Sequence, residues 1–187
     1  VSRMRGLGVQ SVNLDVLYGL PHQTLDSIRA TIGQVLSIRP NRIALFGYAH
    51  VPWMKKHQTM IDERVLPDAA ERLAQSQAAA ALLREAGYVA IGIDHFALPE
   101  DGLTMAMQAG RLRRNFQGYT VDEADALIGL GASAIGRLPQ GHVQNMPATG
   151  EYQRRVKAGE LATVRGYAMN GDDRARAAVI EKLMCEF

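Results

Sequence analysis

The sequence predicts an α/β fold with parallel strands, arranged as a barrel-like domain. A strand pattern at 12–18, an apolar stripe at helical spacing over 25–36 and a second strand pattern at 42–48 follow one another. An Ala-rich run of strong helix formers at 68–86 then leads directly into a third apolar run at 88–94. Because helical crossovers of this kind join parallel strands, the predicted order is that of a βαβαβ unit.

Turn and cap residues mark where these elements begin and end. Pro21 follows the first strand and breaks it. Thr24 is the expected N-cap of the first helix, which Pro40 closes. Pro67 and Gly87 bracket the Ala-rich helix. These turn and cap residues therefore agree with the hydrophobic pattern through the first half of the chain.

The second half of the sequence carries weaker patterns. Residues 49–66 are predicted to form a long functional or mobile loop. The segments after 95 are expected to be a helix at 103–111, a loop at 115–120, a strand or turn at 127–135, and helices at 151–158 and 172–187. We therefore expect strands and helices of a barrel over 1–136 and a helical extension over 137–187.

Composition limits the kind of protein. A chain of 187 residues, 47% hydrophobic and 21% charged, is typical of a globular protein with a sizeable core. The net charge of +2, without a run of like charges, argues against a nucleic-acid partner. No apolar stretch is long enough to span a bilayer and no signal peptide is recognised, so we expect a cytoplasmic protein without a membrane partner. The single cysteine, Cys185, and the absence of zinc-type histidine spacing leave no metal ligand to assign.

Polar residues near the expected strand ends are the candidate site residues. Asp15, with Asn13 on its own face, lies where parallel α/β sheets bind ligands, and its carboxylate is suited to ribose hydroxyls. The alternative is that Asp15 caps a loop or pairs with an arginine. Asp94-His95 repeats the arrangement on the third strand, with a capping aspartate and a buried histidine as the alternative. The segment 129–134 matches the dinucleotide-binding pattern G-x-G-x-x-A, but the breakers that follow leave no room for the helix this fingerprint needs.

Four segments carry a resemblance to a known family. They are Asn13–Thr24 (NLDVLYGLPHQT), Phe46–Pro52 (FGYAHVP), Ile93–Ala97 (IDHFA) and Arg114–Thr120 (RNFQGYT). Together they resemble the oxygen-independent coproporphyrinogen III oxidases, which are radical S-adenosylmethionine (SAM) enzymes, over essentially the whole chain. The first segment is shared with a related heme chaperone, whereas the third and fourth resemble the oxidase alone.

The resemblance implies a structure, a reaction and a set of site residues. The fold would be the later portion of a partial TIM-like radical SAM barrel, followed by helical elements. Two SAM molecules would contact Asp15, Ala49 and Ile135, and Gln117 would be the catalytic residue near the reacting centre. A [4Fe-4S] cluster reduced by an external electron donor would cleave SAM, and the resulting radical would abstract hydrogen from a propionate. Two propionates of coproporphyrinogen III would thereby become vinyl groups, giving protoporphyrinogen IX.

The sequence departs from the family pattern in one large respect. The cluster motif C-x-x-x-C-x-x-C is absent, and the helical C-terminal domain of the family is not seen after Phe187. We expect the chain alone to be inactive and the full-length protein to be a monomer, and we expect the edge of the first strand to invite pairing with a second copy. The alternatives are a heme-binding chaperone with a radical-SAM-like barrel and an unrelated nucleotide- or metabolite-binding module.

Overall fold

The computed structural model describes residues 1–186 and divides into two compact units, the second of which begins at Leu112. The first unit comprises α1 (Ser2–Gly6), β1 (Asn13–Tyr18), α2 (Leu25–Ile38), β2 (Arg42–Gly47), two 3₁₀ helices (Lys56–Met60 and Glu63–Val65), α3 (Ala69–Glu85), β3 (Val89–Ile91), β4 (His95–Ala97) and α4 (Gly102–Gln108). The second comprises β5 (Arg113–Asn115), β6 (Gly118–Thr120), β7 (Ile135–Leu138), β8 (Gly141–Asn145), α5 (Thr149–Lys157), β9 (Thr163–Ala168) and α6 (Gly171–Cys185). Helices and strands alternate from α1 to β3, as the α/β prediction requires, and β4 then follows β3 directly.

Side-chain caps set where the long helices begin. The Thr24 hydroxyl accepts a hydrogen bond from the backbone N–H of Ser27, and the Ser27 side chain reciprocates to the Thr24 backbone, forming a capping box before α2. Asp68 caps α3 through the backbone N–H of Glu71 at 2.8 Å. Each cap satisfies an N–H group that the helix itself leaves without a partner, so both predicted helix starts are confirmed.

The sheet of the first unit has the order β1-β2-β4-β3. β1 and β2 pair in parallel, with Asp15 opposite Ala44, which confirms the predicted βαβ unit. The third predicted strand, 88–94, is wrong in extent: only Val89–Ile91 is a strand, and a turn containing Gly92 (φ 56°) reverses the chain. β4 returns between β2 and β3 and is antiparallel to both. β3 thus lies at the sheet edge and has no parallel neighbour.

The core of the first unit lies between one face of the sheet and the helices α2 and α3. It is formed by buried apolar side chains from three strands and both helices: Val16, Ile28, Ile32, Val35, Ile43, Leu45, Ala79, Leu83 and Phe96. Burying each of the larger aliphatic side chains stabilises the fold by about 1.5 to 3 kcal/mol. Successive residues of a strand point to opposite faces of the sheet. The strand residues that alternate with the core residues therefore lie on the other face.

The second unit contains more strand than the sequence patterns predict. Segment 115–120, expected as a loop, is the turn and second strand of the hairpin β5-β6. The region 127–134 is mainly irregular with a short turn at 132–133, and a bridge joins Leu127 to Arg137 of β7. β7, β8 and β9 form an antiparallel sheet. The expected helical extension over 137–187 therefore contains α5 and α6 together with β8 and β9, and Phe187 lies outside the described residues.

Candidate functional site

Asp15 lies on the sheet face opposite the helix-packed core. Val16 on the core face is 6% exposed, whereas Asn13 and Asp15 alternate with it and are exposed. The strand register puts Asp15, Ala44 and His95 side by side on three neighbouring strands. At ordinary strand spacing the Cα atoms of Asp15 and His95 are about 10 Å apart across Ala44. The structure thus brings both polar residues predicted for strand ends onto one face of the sheet.

The Asp15 carboxylate is held in place by its neighbour two residues earlier. Asn13 Nδ2 donates a hydrogen bond to Asp15 Oδ1 at 2.7 Å, which is possible because residues two apart on a strand share a face. Asp15 makes no ion pair with an arginine among the described residues, so the arginine-pairing alternative finds no support. An exposed carboxylate oriented by an amide retains the capacity to accept hydroxyl hydrogen bonds.

Asp94 and His95 form a second polar element on the same sheet. His95 Nδ1 and Asp94 Oδ1 are 2.7 Å apart, and both side chains are mostly buried. The ring of Phe46 packs edge-on against the His95 ring with centroids 5.7 Å apart. These contacts fix the orientation of the imidazole ring. The arrangement matches the alternative of a half-buried, hydrogen-bonded histidine and equally presents a fixed imidazole beside Ala44.

Ala49 lies just after β2 in a loop that a buried glutamine organises. Gln58, 8% exposed, accepts a hydrogen bond from the Val51 N–H at 2.6 Å and donates one to the Ala49 carbonyl at 3.0 Å. The expected long loop at 49–66 is therefore shaped by 3₁₀ turns and a side-chain clamp. Sequence reasoning missed Gln58, because a single polar residue in a loop carries no signal of burial.

A second buried glutamine holds the loop that follows β1. Gln75 of α3 is fully buried; its side-chain oxygen accepts from the Gly19 N–H at 2.9 Å, and its amide donates to the Gln23 carbonyl at 2.7 Å. The Arg72 guanidinium lies against Gly19 and Gly47, at positions where an added Cβ would contact it at 3.1 to 3.3 Å. The ends of β1 and β2 are thus fixed by α3, which the sequence showed only as an Ala-rich helix.

Gln117 lies in the second unit, at the turn of the β5-β6 hairpin. Its backbone N–H donates to Asn115 Oδ1 at 2.7 Å, and its side chain is exposed. The preceding Phe116 contacts the ring of His142 edge-on, with centroids 5.2 Å apart. The Asn115 hydrogen bond and the Phe116–His142 contact therefore hold the two-residue turn, which exposes the Gln117 side chain to solvent.

Ile135 begins β7 next to the Gly-rich segment 129–134. Asn145 Nδ2 donates to the carbonyls of Gly129 and Gly131 at 2.9 and 3.1 Å, and a Cβ at Gly136 would lie 2.9 Å from the Leu127 carbonyl oxygen. The backbone is therefore packed closely here, and a strand follows where a dinucleotide fingerprint needs a helix. This confirms that the G-x-G-x-x-A match is accidental.

The residues present do not fit an iron-sulfur cluster. Cys185 is the one cysteine of the sequence; it is buried, and burial raises the pKa of its thiol. Within residues 1–186 no group of three or more potential metal-ligating side chains comes together. Among the helices of that range, none is both long and apolar enough to cross a membrane.

The chain is similar over its whole length to named enzymes. It is 51% identical over 187 residues to the oxygen-independent coproporphyrinogen III oxidase of Bradyrhizobium diazoefficiens, and 52% identical over 187 residues to that of Paracoccus denitrificans. Each match covers 100% of this chain and 42% of the relative. The chain therefore spans less than half the length of the curated relatives it matches. No family model matches the sequence.

A solved structure shows the same fold. Coproporphyrinogen III oxidase (HemN) from Escherichia coli, described as a radical SAM enzyme, matches with a TM-score of 0.92 and 39% identity. The match covers 100% of this chain and 43% of that one. The resemblance that the four sequence segments predicted is confirmed along the whole chain.

Proposed function

We propose that this chain is part of an oxygen-independent coproporphyrinogen III oxidase. The reaction would be the oxidative decarboxylation of two propionate side chains of coproporphyrinogen III to vinyl groups, which gives protoporphyrinogen IX. The observation that carries the proposal is that the whole of this chain matches relatives bearing that name at 51% and 52% identity. The fold shared with a radical SAM enzyme supports the same assignment.

SAM would contact the chain at Asp15, Ala49 and Ile135, two molecules being bound in the complete protein. The exposed Asp15 carboxylate, oriented by Asn13, has the chemistry to accept hydrogen bonds from ribose hydroxyls. Ala49 lies in a loop that Gln58 holds in shape. When bound beside a reduced [4Fe-4S] cluster, SAM supplies the radical that abstracts hydrogen from a propionate.

Gln117 would act at the reacting centre. Its neutral amide offers both a donor and an acceptor and does not titrate, which suits the positioning of an anionic propionate. The Asn115 contact and the Phe116–His142 contact fix the turn that carries it. The role we assign to Gln117 is to orient the substrate.

The cluster would be held by residues outside these 187. A [4Fe-4S] cluster needs several thiolates and this chain has one cysteine, so we expect the chain alone to be inactive. An external donor would supply the electron that reduces the cluster. A cytoplasmic, monomeric full-length protein without nucleic-acid or membrane partners remains our prediction. β1 lies at the edge of its sheet, which keeps self-pairing of the isolated chain a prediction that a size measurement in solution tests.

The experiment is anaerobic turnover of coproporphyrinogen III by the full-length protein, with SAM and a chemical reductant. We expect Asp15→Ala to weaken SAM binding by roughly tenfold or more, since hydrogen bonds to a charged group are lost. Gln117→Ala should lower turnover and leave SAM affinity unchanged. Asp26→Asn, an exposed aspartate paired with Arg29 on α2, is the matched control.

One outcome would contradict the proposed activity and another only the role given to Asp15. Heme binding by the full-length protein without any turnover of coproporphyrinogen III would favour the chaperone. Normal turnover and SAM affinity in Asp15→Ala would remove Asp15 from the SAM site while leaving the overall activity assigned.

A further inference from the structure

Two buried side-chain nitrogens lack a hydrogen-bond partner in the part of the chain that the structure describes. They are Arg114 Nε and His142 Nδ1. Both belong to the second unit and both border the Phe116–Gln117 turn: Arg114 precedes Phe116 by two residues, and His142 contacts the Phe116 ring. Arg114 Nε is an N–H donor, whereas the tautomer decides whether His142 Nδ1 donates or accepts. Buried polar nitrogens without a partner are rare in folded proteins, so two around one turn point to a missing hydrogen-bonding group.

A cleft of about 250 Å³ adjoins this turn. Its lining includes the arginines Arg113, Arg114 and Arg137, with Asn115 at the start of the turn. Arg137 is directly opposite His142 in the β7-β8 register, so the two side chains share one face of that sheet. Basic groups from two separate sheets therefore converge on one cleft.

The three guanidinium groups have weak partners. Arg113 is 3.8 Å from the Glu181 carboxylate, which is a loose ion pair. Arg114 lies over the Tyr119 ring at 5.4 Å and donates to the Met184 sulfur at 3.6 Å. Arg137 forms no ion pair with a carboxylate among residues 1–186. Each guanidinium thus keeps donors for a ligand.

Acidic residues also line the cleft, and they are accounted for otherwise. Asp122, Glu123 and Asp125 are exposed and remain hydrated. The Asp122 carboxylate accepts from the Ala124 N–H at 2.9 Å, which stabilises its own turn. None of these three is in an ion pair with an arginine of the cleft. They form an exposed rim, and Glu181, the fourth acidic residue of the lining, pairs only loosely with Arg113.

We propose that Arg113, Arg114 and Arg137 bind a carboxylate group of a ligand beside the Phe116–Gln117 turn. The planar guanidinium fork matches a carboxylate with paired hydrogen bonds, which an ammonium group cannot reproduce. Resting on the proposed function, the carboxylate is a propionate of the tetrapyrrole or the α-carboxylate of SAM. Either would accept hydrogen bonds from the guanidinium groups that line the cleft.

The test measures ligand affinity in the full-length protein with Arg137→Gln, Arg114→Gln and Arg114→Lys. The probes are coproporphyrin III, its tetramethyl ester and S-adenosylhomocysteine. Arg176→Gln is the control. Arg176 is an exposed arginine of α6 that pairs with Asp172, and its substitution removes the same charge from the same unit. Circular dichroism checks folding, and Arg137→Gln keeps the test valid if Arg114 variants unfold.

We expect the Gln variants to weaken binding of one carboxylate probe by roughly tenfold to a hundredfold, and Arg176→Gln to leave it unchanged. Loss confined to coproporphyrin III, with the ester bound equally by variants and wild type, identifies a propionate. Loss confined to S-adenosylhomocysteine identifies the α-carboxylate. Unchanged affinity for both in folded variants would overturn the carboxylate site while the proposed function stands. Wild-type protein that binds neither probe would overturn both.

Discussion

Gln75 offers a direct test of how α3 fixes the end of β1. Replacing it by methionine keeps the volume similar and removes both hydrogen bonds, to the Gly19 N–H and the Gln23 carbonyl. Gly19 is buried, so its N–H cannot bond to water instead, whereas Gln23 is only partly buried. The lost bond and orphaned donor at Gly19 cost about 1 to 3 kcal/mol and the bond at Gln23 about 1 kcal/mol, so we expect a total of about 2 to 4 kcal/mol.

Urea denaturation followed by circular dichroism measures this loss. At an m-value of about 2 kcal/mol/M, the midpoint should fall by about 1 to 2 M. Gln77→Met is the matched control, because Gln77 is exposed on the same helix and its substitution should change stability by less than about 0.5 kcal/mol. Equal midpoints for the two variants would refute the role given to the buried clamp.

Two further predictions concern single positions. Gly141 has φ 155°, and a Cβ there would overlap the Tyr167 carbonyl, so Gly141→Ala should lower stability by about 1 to 3 kcal/mol in thermal unfolding. Gly150→Ala, in open space on α5, should instead be neutral or stabilising; similar losses for both would contradict the packing given for β8. Burial raises the pKa of the Cys185 thiol, which leaves less thiolate near pH 8, so thiol reagents should react more slowly with native than with urea-unfolded protein and speed up as pH rises. Equal rates in the two states would show an accessible thiol.

The sequence predicted well where structure depends on neighbouring residues. The segment from β1 to β2 follows from strand alternation, the Thr24 cap and the break at Pro40, all of which act within a few residues. The same holds for α3, which Asp68 starts as predicted. Asp15 was found because alternation also predicts which face a strand residue occupies.

Sequence patterns failed where pairing is non-local. The apolar run 88–94 looks like one strand, yet the turn at Gly92 divides it and β4 enters between β2 and β3. β4 pairs with Arg42–Ala44 of β2, which lies some fifty residues earlier in the chain. A local pattern therefore does not show whether the strand continues after Ile91 or turns back. The β5-β6 hairpin was missed for the related reason that its strands are very short.

By itself, the sequence determined the α/β class, the order of the early elements and the polar face that carries Asp15. Only the tertiary structure showed that Gln58 and Gln75 are buried clamps and that Arg114 holds a buried donor without a partner. The physical reason is that periodicity and capping are encoded within a few residues, whereas burial depends on what the rest of the chain brings into contact. From sequence alone a glutamine or arginine is predicted to lie on the surface, and only the packing shows that it is buried.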